Sequence, residues 1–316
     1  MRHPGETTSI DICVCTFQRV ELLHTLESLD RLKMMKDHEV RIIVVDNDWK
    51  PTAKALVDDF AKKSKHPIAY LHAPAGNISI ARNKCLEAST AKLVAFIDDD
   101  EIVTENWLKC LIQEMQTSGA DVVLGPVIAR HLDPAPNWLK SGDFHSTYPV
   151  WIKGQIRTGY TCNVLMKMSA PSLSGRRFNL LRGQTGGEDT EFFKKVFECG
   201  GRFSYSENAI VTETVPEKRA TFDWLMKRRF RAGQTHGKLL AEPLGTAAKV
   251  FETARALSKV FYCALCYCLH ITSRTRRNTA LLRGGLHIGT VSGILGFNEL
   301  EQYGMSASTG VSNEPT

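Results

Sequence analysis

Long hydrophobic runs are missing from this 316-residue sequence. Its longest apolar segment, VFYCALCYCL at residues 260–269, is too short to cross a bilayer, which takes about 20 residues. The first nine residues contain no apolar stretch, so we expect no secretory signal peptide. The nine cysteines are odd in number and lie mostly in apolar segments, which is typical of a reducing cytoplasm rather than of a disulfide framework. We therefore expect a cytoplasmic protein that crosses no membrane.

A strong net charge is also missing, but the charge is unevenly distributed. Lys and Arg number 40 against 34 Asp and Glu, and the resulting +6 is too small to indicate a nucleic-acid partner. Residues 217–283 contain fourteen basic and four acidic side chains, a net +10 that leaves −4 for the rest of the chain. This asymmetry favours either two separate tasks or a polyanionic partner on one side of the protein.

Short β-branched runs alternate with helical patterns through the first half of the chain. The predicted strands are residues 9–16, 40–45, 68–71, 93–97 and 122–128. Continuous apolar strands such as RIIVV are typical of a sheet covered on both faces. The alternation predicts an α/β fold with a doubly wound, mostly parallel sheet flanked by helices. In such folds ligands bind at the carboxyl ends of the strands, near the point where strand order reverses.

The second half begins with an irregular segment and then becomes regular again. Residues 129–158 are rich in Pro, Trp, Tyr and His, and we interpret them as a functional flap. Further strands are predicted at residues 161–168, 202–205 and 209–214, and a basic helix at residues 222–240. Cys263, Cys266 and Cys268 lack a matching second ligand pair, so we interpret them as buried helix cysteines rather than as a zinc site.

The motif FIDDDE, residues 96–101, places four acids directly after a buried strand. Adjacent carboxylates repel each other unless a cation lies among them, and Mg²⁺ or Mn²⁺ bind carboxylates together with substrate phosphates. Asp98 and Asp100 would point to one side of an extended chain and Asp99 to the other. The alternative is a solvated acidic loop, which has no need of this position at the end of a strand.

Two polar motifs follow other strands. VVDND, residues 44–48, offers Asp46 and Asn47 as hydrogen-bond partners for a ribose or a base, although Asn and Asp also favour turns. GNISIARNK, residues 76–84, places Asn77 as a helix cap and Arg82 on the same helix. Arg82 suits a bound diphosphate, and a surface salt bridge is the alternative.

Two further motifs begin or line helices in the second half. GGEDTEFF places Glu188 and Asp189 at a helix N-terminus, where they act either as caps or as a general base. KRRFRAG places Lys227, Arg228, Arg229 and Arg231 on one helix. These cations suit a phosphate leaving group or anionic lipid, and an ordinary basic surface helix is the alternative.

These motifs, in this order, resemble the family 2 glycosyltransferases, which are nucleotide-sugar enzymes with the GT-A fold. The matching segments are CTFQR, VVDND, GNISIARN, FIDDDE, GGEDTEFF and RRFR, and the resemblance covers roughly residues 9–237. Within the family, the sequence is most similar to bacterial exopolysaccharide glucosyltransferases of the succinoglycan type.

The resemblance implies a role for each matching residue. Those that would contact the donor nucleotide or its diphosphate are Thr16, Arg19, Asp46, Asn47, Arg82, Asp98, Arg228 and Arg231. Asp98 and Asp100 match the family's DxD motif and would hold Mn²⁺ or Mg²⁺, with Asp100 in direct contact. Asp189 matches the catalytic base, and Glu188 lies beside it.

The resemblance also implies a reaction. Asp189 would take the proton of an acceptor hydroxyl, which attacks the anomeric carbon, and a single displacement inverts its configuration. The expected enzyme moves one glucose from UDP-glucose onto a lipid-linked oligosaccharide. Processive members carry Gln-x-x-Arg-Trp and several membrane spans, whereas Arg228 and Ala232 stand at the Gln and Trp positions here. This departure favours transfer of a single sugar.

We predict three regions: a GT-A domain at residues 1–240, a helical membrane-associating extension at 241–308, and a disordered tail at 309–316. The apolar run at 260–269 has Arg and Lys on both sides, which is typical of an interfacial helix on anionic lipid, and a buried core helix is the alternative. A polyprenyl-linked glycan at the inner face of the cell membrane would explain the basic extension.

The alternative functions are another Mg²⁺-dependent phosphoryl or nucleotidyl transferase and an inactive membrane-bound assembly partner.

Overall fold

A seven-stranded mixed sheet forms the centre of the protein in the computed structural model, which describes residues 7–33 and 35–298. The strands are β1 (Thr8–Thr16), β2 (His38–Asp46), β3 (Ile68–His72), β4 (Leu93–Asp98), β5 (Glu101–Val103), β6 (Val122–Leu124), β7 (Val127–His131), β8 (Trp151–Ile152), β9 (Gln155–Ile156), β10 (Asn163–Lys167), β11 (Phe203–Tyr205) and β12 (Val211–Val215). The helices are α1 (Leu22–Asp30), α2 (Lys54–Ala61), α3 (Ile78–Ala88), α4 (Trp107–Ser118), α5 (Asn137–Gly142), α6 (Glu188–Glu198), α7 (Phe222–Ala241), α8 (Thr246–Leu269) and α9 (Arg274–Ile294).

The order of the main sheet is β11-β6-β10-β4-β1-β2-β3. Strand β10 runs antiparallel to both neighbours and the other pairs are parallel, which confirms the predicted mixed, mostly parallel sheet. The chain moves from β1 to β2 and β3 on one side and then returns to place β4 on the other. The register pairs Thr16 with Asp46 and Cys15 with Asp98. The carboxyl ends of β1, β2 and β4 are therefore level at the point where strand order reverses.

Helices cover both faces of this sheet. One apolar cluster contains buried side chains of α1, α2 and α4, including Leu26, Val57 and Trp107. The other contains buried side chains of α3 and α6, including Cys85 and Phe193. Strand β2 contributes to both clusters, because successive side chains of a strand point to opposite faces. This two-sided burial explains the continuous apolar run in its sequence.

A second, three-stranded sheet, in the order β5-β12-β7, corrects the predicted strand at residues 122–128. That segment forms two strands, β6 and β7, which belong to different sheets. The chain changes sheet at Gly125 and Pro126, and a Cβ on Gly125 would overlap Asn163 and the carbonyl oxygen of Ala209. The second sheet pairs Glu213 with Glu101, next to the acidic motif.

Helix α9 packs along α7 through glycines, with backbone against backbone. A Cβ on Gly233 or Gly237 of α7 would overlap backbone atoms of α9, and a Cβ on Gly289 or Gly293 of α9 would overlap backbone atoms of α7. The close approach lets α9 hold the helix that carries Arg228 and Arg231.

The predicted boundary at 240/241 coincides with the end of α7, and the division into domains stays a prediction. The predicted tail at 309–316 lies outside the described residues.

Helix α8 contains the apolar run at residues 260–269. Its cysteines differ from one another: Cys263 is buried, as predicted, whereas Cys268 is exposed. Over residues 7–33 and 35–298, no helix combines the length and the apolar character needed to cross a bilayer.

The glycine contact predicts opposite effects for two Gly→Ala substitutions on α9. In Gly289→Ala the new methyl group would overlap the carbonyl oxygen of Phe230, so we expect a loss of about 1–3 kcal/mol of unfolding free energy. A Cβ on Gly284 would lie 3.6 Å from the Cβ of Cys263, and Gly284→Ala should gain up to about 1 kcal/mol from helix propensity. Urea denaturation of both variants measures the difference, and equal stabilities would contradict backbone contact at Gly289.

Candidate active site

The acidic motif forms a tight turn between β4 and β5. The backbone N–H of Asp98 donates to Oε2 of Glu101 at 2.8 Å, so the buried Glu101 carboxylate braces the turn. Solvent reaches 47% of the Asp98 side chain and 15% of Asp100, whereas Asp99 is buried. Asp98 is therefore the most accessible acid of the three, while Asp99 and Asp100 lie in the turn itself rather than on an extended strand, so the predicted alternation does not apply to them.

Two arginines lie close to the carboxylate of Asp100 in the turn. Nη2 of Arg19 lies 3.2 Å from Asp100, and its Nε lies 3.8 Å from Asp99. Nη1 of Arg219 lies 3.9 Å from Asp100 and donates to Glu213 at 2.8 Å. The sequence motifs include neither Arg219 nor Glu213. Both enter the site through the second sheet, and the break at Gly125 and Pro126 was the available signal for it.

Arg82 and Glu188 form a buried ion pair beneath the same turn. Arg82 also lies 3.9 Å from Asp98, so it connects the acidic motif with the start of α6. Burial raises the pKa of Glu188, although Arg82 opposes the shift. The predicted contact between Arg82 and a diphosphate stays a prediction, since both of the described anionic partners belong to the protein.

Asp189 follows Glu188 on α6 and is only partly buried. Its Oδ1 accepts from the backbone N–H of Thr190 at 2.6 Å. The Asp189 carboxylate is close enough to raise the pKa of Asp98 and of Glu188. Asp189 thus lies beside the acidic motif with no cationic partner among the described ion pairs, whereas the Glu188 carboxylate is held by Arg82.

The basic helix α7 contributes an aromatic and cationic cluster. The Trp224 ring lies 5.4 Å from the Arg228 guanidinium, 5.7 Å from that of Arg219, and stacks on His145. Nη1 of Arg228 donates to the carbonyl oxygen of His145 at 3.4 Å. Arg231 lies one turn further along α7 and is half-buried. Trp224 was not predicted; its ring contacts both Arg219 and Arg228, and Arg219 also lies 3.9 Å from Asp100 of the acidic motif.

The predicted nucleotide contacts at the ends of β1 and β2 already have protein partners. The buried Asp46 carboxylate accepts from Asp48 N–H, Ala53 N–H and the Tyr70 hydroxyl. Asn47 donates to the carbonyl oxygen of Ala73. These bonds shape the loop after β2 around the end of β1, where the Thr16 carbonyl accepts from Asn47 N–H. Direct donor binding by Thr16, Asp46 and Asn47 stays a prediction.

Residues 11–207, more than half of the chain, match the family model for glycosyl transferase family 2. The chain belongs to glycosyltransferase family 2. This family membership removes the phosphoryl-transfer alternative and makes the protein a glycosyltransferase.

One relative of this family 2 enzyme covers nearly its whole length, and a second covers about two thirds to three quarters of it. It is 50% identical over 301 residues to the succinoglycan biosynthesis protein ExoM of Rhizobium meliloti (strain 1021), covering 95% of this chain and 97% of ExoM. It is 22% identical over 244 residues to the glucosyl-dolichyl phosphate glucuronosyltransferase of Haloferax volcanii, covering 71% and 75% of the two chains. The first match confirms the resemblance to succinoglycan-type proteins.

The fold is shared with a solved glycosyltransferase. The mannosyltransferase PcManGT of Pyrobaculum calidifontis, in complex with GDP-Man and Mn²⁺, superposes with a TM-score of 0.63 at 14% identity, covering 92% of this chain and 88% of PcManGT. Together with the sheet order, this match confirms the predicted GT-A fold with a C-terminal helical extension.

The charge around the turn suits a divalent cation in this family 2 enzyme. Several carboxylates converge here, and pKa values are raised for the following largely buried acids: Asp99, Glu101, Glu188 and Glu213. Burial is the largest cause of each shift, and mutual repulsion adds to it. Asp98, Glu101 and Cys162 place ligand atoms within 4.8 Å of one another, but the raised pKa of Cys162 keeps the thiol protonated. The oxygen donors that remain are Asp98 and Glu101, which are of the kind that Mn²⁺ and Mg²⁺ bind. Asp100, predicted to contact the metal directly, is not a member of this group, and its role as a ligand stays a prediction.

Asp99 gives the metal-free enzyme a pH-dependent stability. Burial raises its pKa from 3.8 to about 7, so the folded state keeps a proton that the unfolded state has lost. The resulting stabilisation is complete below about pH 4 and is lost as the pH rises through 7. We expect the free energy of unfolding to fall by roughly 1–3 kcal/mol between pH 5 and 8.

Thermal or urea unfolding between pH 5 and 8, in the presence of a chelator, measures the slope of the unfolding free energy against pH. Asp99→Asn should make the fall in unfolding free energy smaller, because the amide does not titrate; the part that remains comes from the neighbouring acids whose pKa values are also raised. Asp58→Asn, on the exposed side of α2, is the control and should keep the wild-type slope. An unchanged slope in Asp99→Asn would contradict the assignment.

Proposed function

We propose that the protein is an inverting, metal-dependent transferase that moves one sugar from a nucleotide donor to a lipid-linked oligosaccharide during exopolysaccharide synthesis. The observation that carries the proposal is the convergence of the DxD residues and Asp189 where strand order reverses. Arg82 bridges Asp98 and Glu188 and thereby links the two motifs. The identity to ExoM over nearly the full chain supports succinoglycan as the class of polymer.

Each group in the site has a role in this reaction. Asp189 accepts the proton of the acceptor hydroxyl, which attacks the anomeric carbon on the face opposite the nucleotide. Arg19, Arg219, Arg228 and Arg231 supply positive charge around the diphosphate leaving group. Asp98 and Asp100 would hold the Mn²⁺ or Mg²⁺ ion, which when bound neutralises the diphosphate. Thr16, Asp46 and Asn47 form the wall for the base and ribose.

Glu188 has a positioning role in this scheme. Its carboxylate is committed to Arg82 in a buried pair, whereas Asp189 lies beside it with access to the open end of the sheet. We therefore assign the catalytic base to Asp189 and the orientation of α6 to Glu188.

The donor and acceptor classes follow from the family resemblance. UDP-glucose is the donor that the succinoglycan-type likeness implies. A polyprenyl-linked glycan acceptor is supported by the Haloferax relative, whose name places it on glucosyl-dolichyl phosphate. Such an acceptor locates the enzyme at the anionic cytoplasmic surface of the inner membrane, where the net +10 of residues 217–283 is favourable.

A panel of nucleotide sugars tests the proposal. Purified protein is incubated with each donor and with polyprenyl diphosphate glycans extracted from a strain that lacks the enzyme, with Mn²⁺, with Mg²⁺ or with a chelator. We expect turnover of one UDP-sugar that requires a divalent ion and a product with inverted anomeric configuration by NMR. Retention of configuration, or turnover in chelator, would overturn the inverting or the metal-dependent part respectively. Absence of turnover with every donor would favour the inactive assembly partner.

A further inference from the structure

Helix α8 presents an apolar surface to the outside of the protein. Its side chains at spacings of three, four and seven residues form a stripe along one face. The large residues on this outward face are Val250, Phe251, Leu257, Phe261, Leu265 and Leu269, each more than half exposed. Phe261, at 74%, is the most exposed of them. The usual arrangement of a surface helix is thus reversed, because only Ala256 and Cys263 of α8 are buried.

Charged side chains of α8 lie at the edge of this stripe. All of α8 is described, and its exposed charged residues are Arg255 and Lys259, which project next to each other along one side. The 24 residues of α8 extend over about 36 Å, so the outward face forms a long, narrow, uncharged strip. Exposed apolar patches of this extent mark interaction sites.

A cavity of about 60 Å³ lies beside the stripe, between α7, α8 and α9. Its basic lining residues are His236, Arg255, Lys259 and His287, and its one acidic residue is Glu252, which is paired with Arg255 at 2.6 Å. Burial lowers the pKa of both histidines, and the nearby cations lower it further. The cavity is lined by the cations Arg255 and Lys259 and by two imidazole rings against a single carboxylate, so it is suited to a phosphate group.

The surrounding sequence is basic as well. Residues 243–298 contain seven Lys and Arg and a single acid, Glu252. In a two-fold pairing of α8 with a second copy, these positively charged surfaces would face each other. Anionic phospholipid offers the complementary charge to the flanks and hydrocarbon to the stripe.

We propose that the outward face of α8 and the adjacent basic cavity dock the protein onto an anionic phospholipid bilayer, with α8 lying in the plane of the interface. The apolar stripe inserts between the lipid chains and the cavity receives a lipid phosphate. This inference deepens the proposed function, since it assigns the membrane contact that a lipid-linked acceptor requires to particular residues.

Vesicle flotation of the full chain tests the docking surface. The vesicles contain phosphatidylcholine alone or with 30% phosphatidylglycerol. We expect partitioning into the anionic vesicles, at least ten-fold above the neutral ones and reduced by salt. Phe261→Gln/Leu265→Gln should lower the partition coefficient at least ten-fold, and Arg255→Gln/Lys259→Gln about five-fold for each cation removed. Leu132→Gln, an exposed apolar residue after β7, is the matched control and should bind like wild type.

The results distinguish a lipid bilayer from a second copy of the protein as the partner of this surface. Equal flotation of the wild type and the Phe261→Gln/Leu265→Gln variant would overturn the proposal. Sedimentation velocity that reports a dimer, converted to monomer by the same variant, would assign the stripe to a second copy and overturn it as well. Donor hydrolysis measured on the same preparations in vesicle-free buffer distinguishes loss of docking from failure of the proposed transferase activity.

Discussion

Asp189→Asn should lower the rate of sugar transfer by about 10²–10⁴-fold while donor binding stays within about two-fold of wild type. Asparagine keeps the size of the side chain and can still accept from Thr190 N–H, as Asp189 does at 2.6 Å. It cannot take a proton from the acceptor hydroxyl. The fold should be retained, because Asp189 forms none of the buried ion pairs described for this site. Steady-state transfer and calorimetric donor titration measure the two quantities separately.

Glu198→Gln on the same helix is the matched control. Glu198 lies at the far end of α6, exposed and 3.7 Å from Lys194, and its substitution should leave transfer unchanged. A variant Asp189→Asn that retains more than a tenth of wild-type activity would remove Asp189 from the role of base. Loss of donor binding in that variant would instead place Asp189 in the nucleotide pocket.

The buried Arg82–Glu188 pair should respond unequally to the loss of its two partners. Glu188→Leu leaves a guanidinium buried that cannot lose its proton, so we expect a loss of about 3–5 kcal/mol of unfolding free energy. Arg82→Met leaves Glu188, whose pKa is already raised by burial, and this carboxyl can become neutral by taking a proton. The second loss should therefore be smaller at neutral pH.

The double variant Arg82→Met/Glu188→Leu completes a thermodynamic cycle. Because an apolar pair needs no compensation for desolvation, the double variant should be more stable than Glu188→Leu alone. Urea denaturation of the four proteins at pH 7 gives the coupling. Equal single losses with simple additivity would show that Asp98, 3.9 Å from Arg82, compensates for the missing partner.

The polar residues at strand ends could be located from the sequence because their positions depend on local rules. A buried apolar run followed by acids places Asp98 and Asp100 at the carboxyl edge of the sheet, and the structure has them there. The predicted cap at Asn77 is also present, since its Oδ1 accepts from Ile80 N–H. Such features need only the period of a strand or the start of a helix.

The second sheet could not be located in this way. Glu213 and Arg219 reach the acidic turn only because the chain changes sheets at Gly125 and Pro126, and strand pairing across about 110 residues has no local signature. The Gly-Pro pair within an apolar run was a signal of the break. Trp224 is similar: its contacts with Arg219, Arg228 and His145 join three separate segments.

The orientation of α8 was equally beyond the sequence. Both a core helix and an interfacial helix can have an apolar stripe with basic flanks. The two differ in whether neighbouring helices cover the apolar stripe or leave it exposed. That choice depends on α9, which packs on α7 and α8 and leaves the apolar side of α8 uncovered.

The glycine-lined contact between α7 and α9 has a consequence for how a surface-bound enzyme would meet its substrate. Backbone in contact with backbone leaves no layer of flexible side chains between the helix that carries Arg228 and the helix that supports α8. With α8 resting on a bilayer, the catalytic turn would keep one height and one tilt above the lipid headgroups. The enzyme and a lipid-anchored acceptor would then meet by diffusion in two dimensions. The only orientation that still varies is the rotation of the enzyme about the membrane normal.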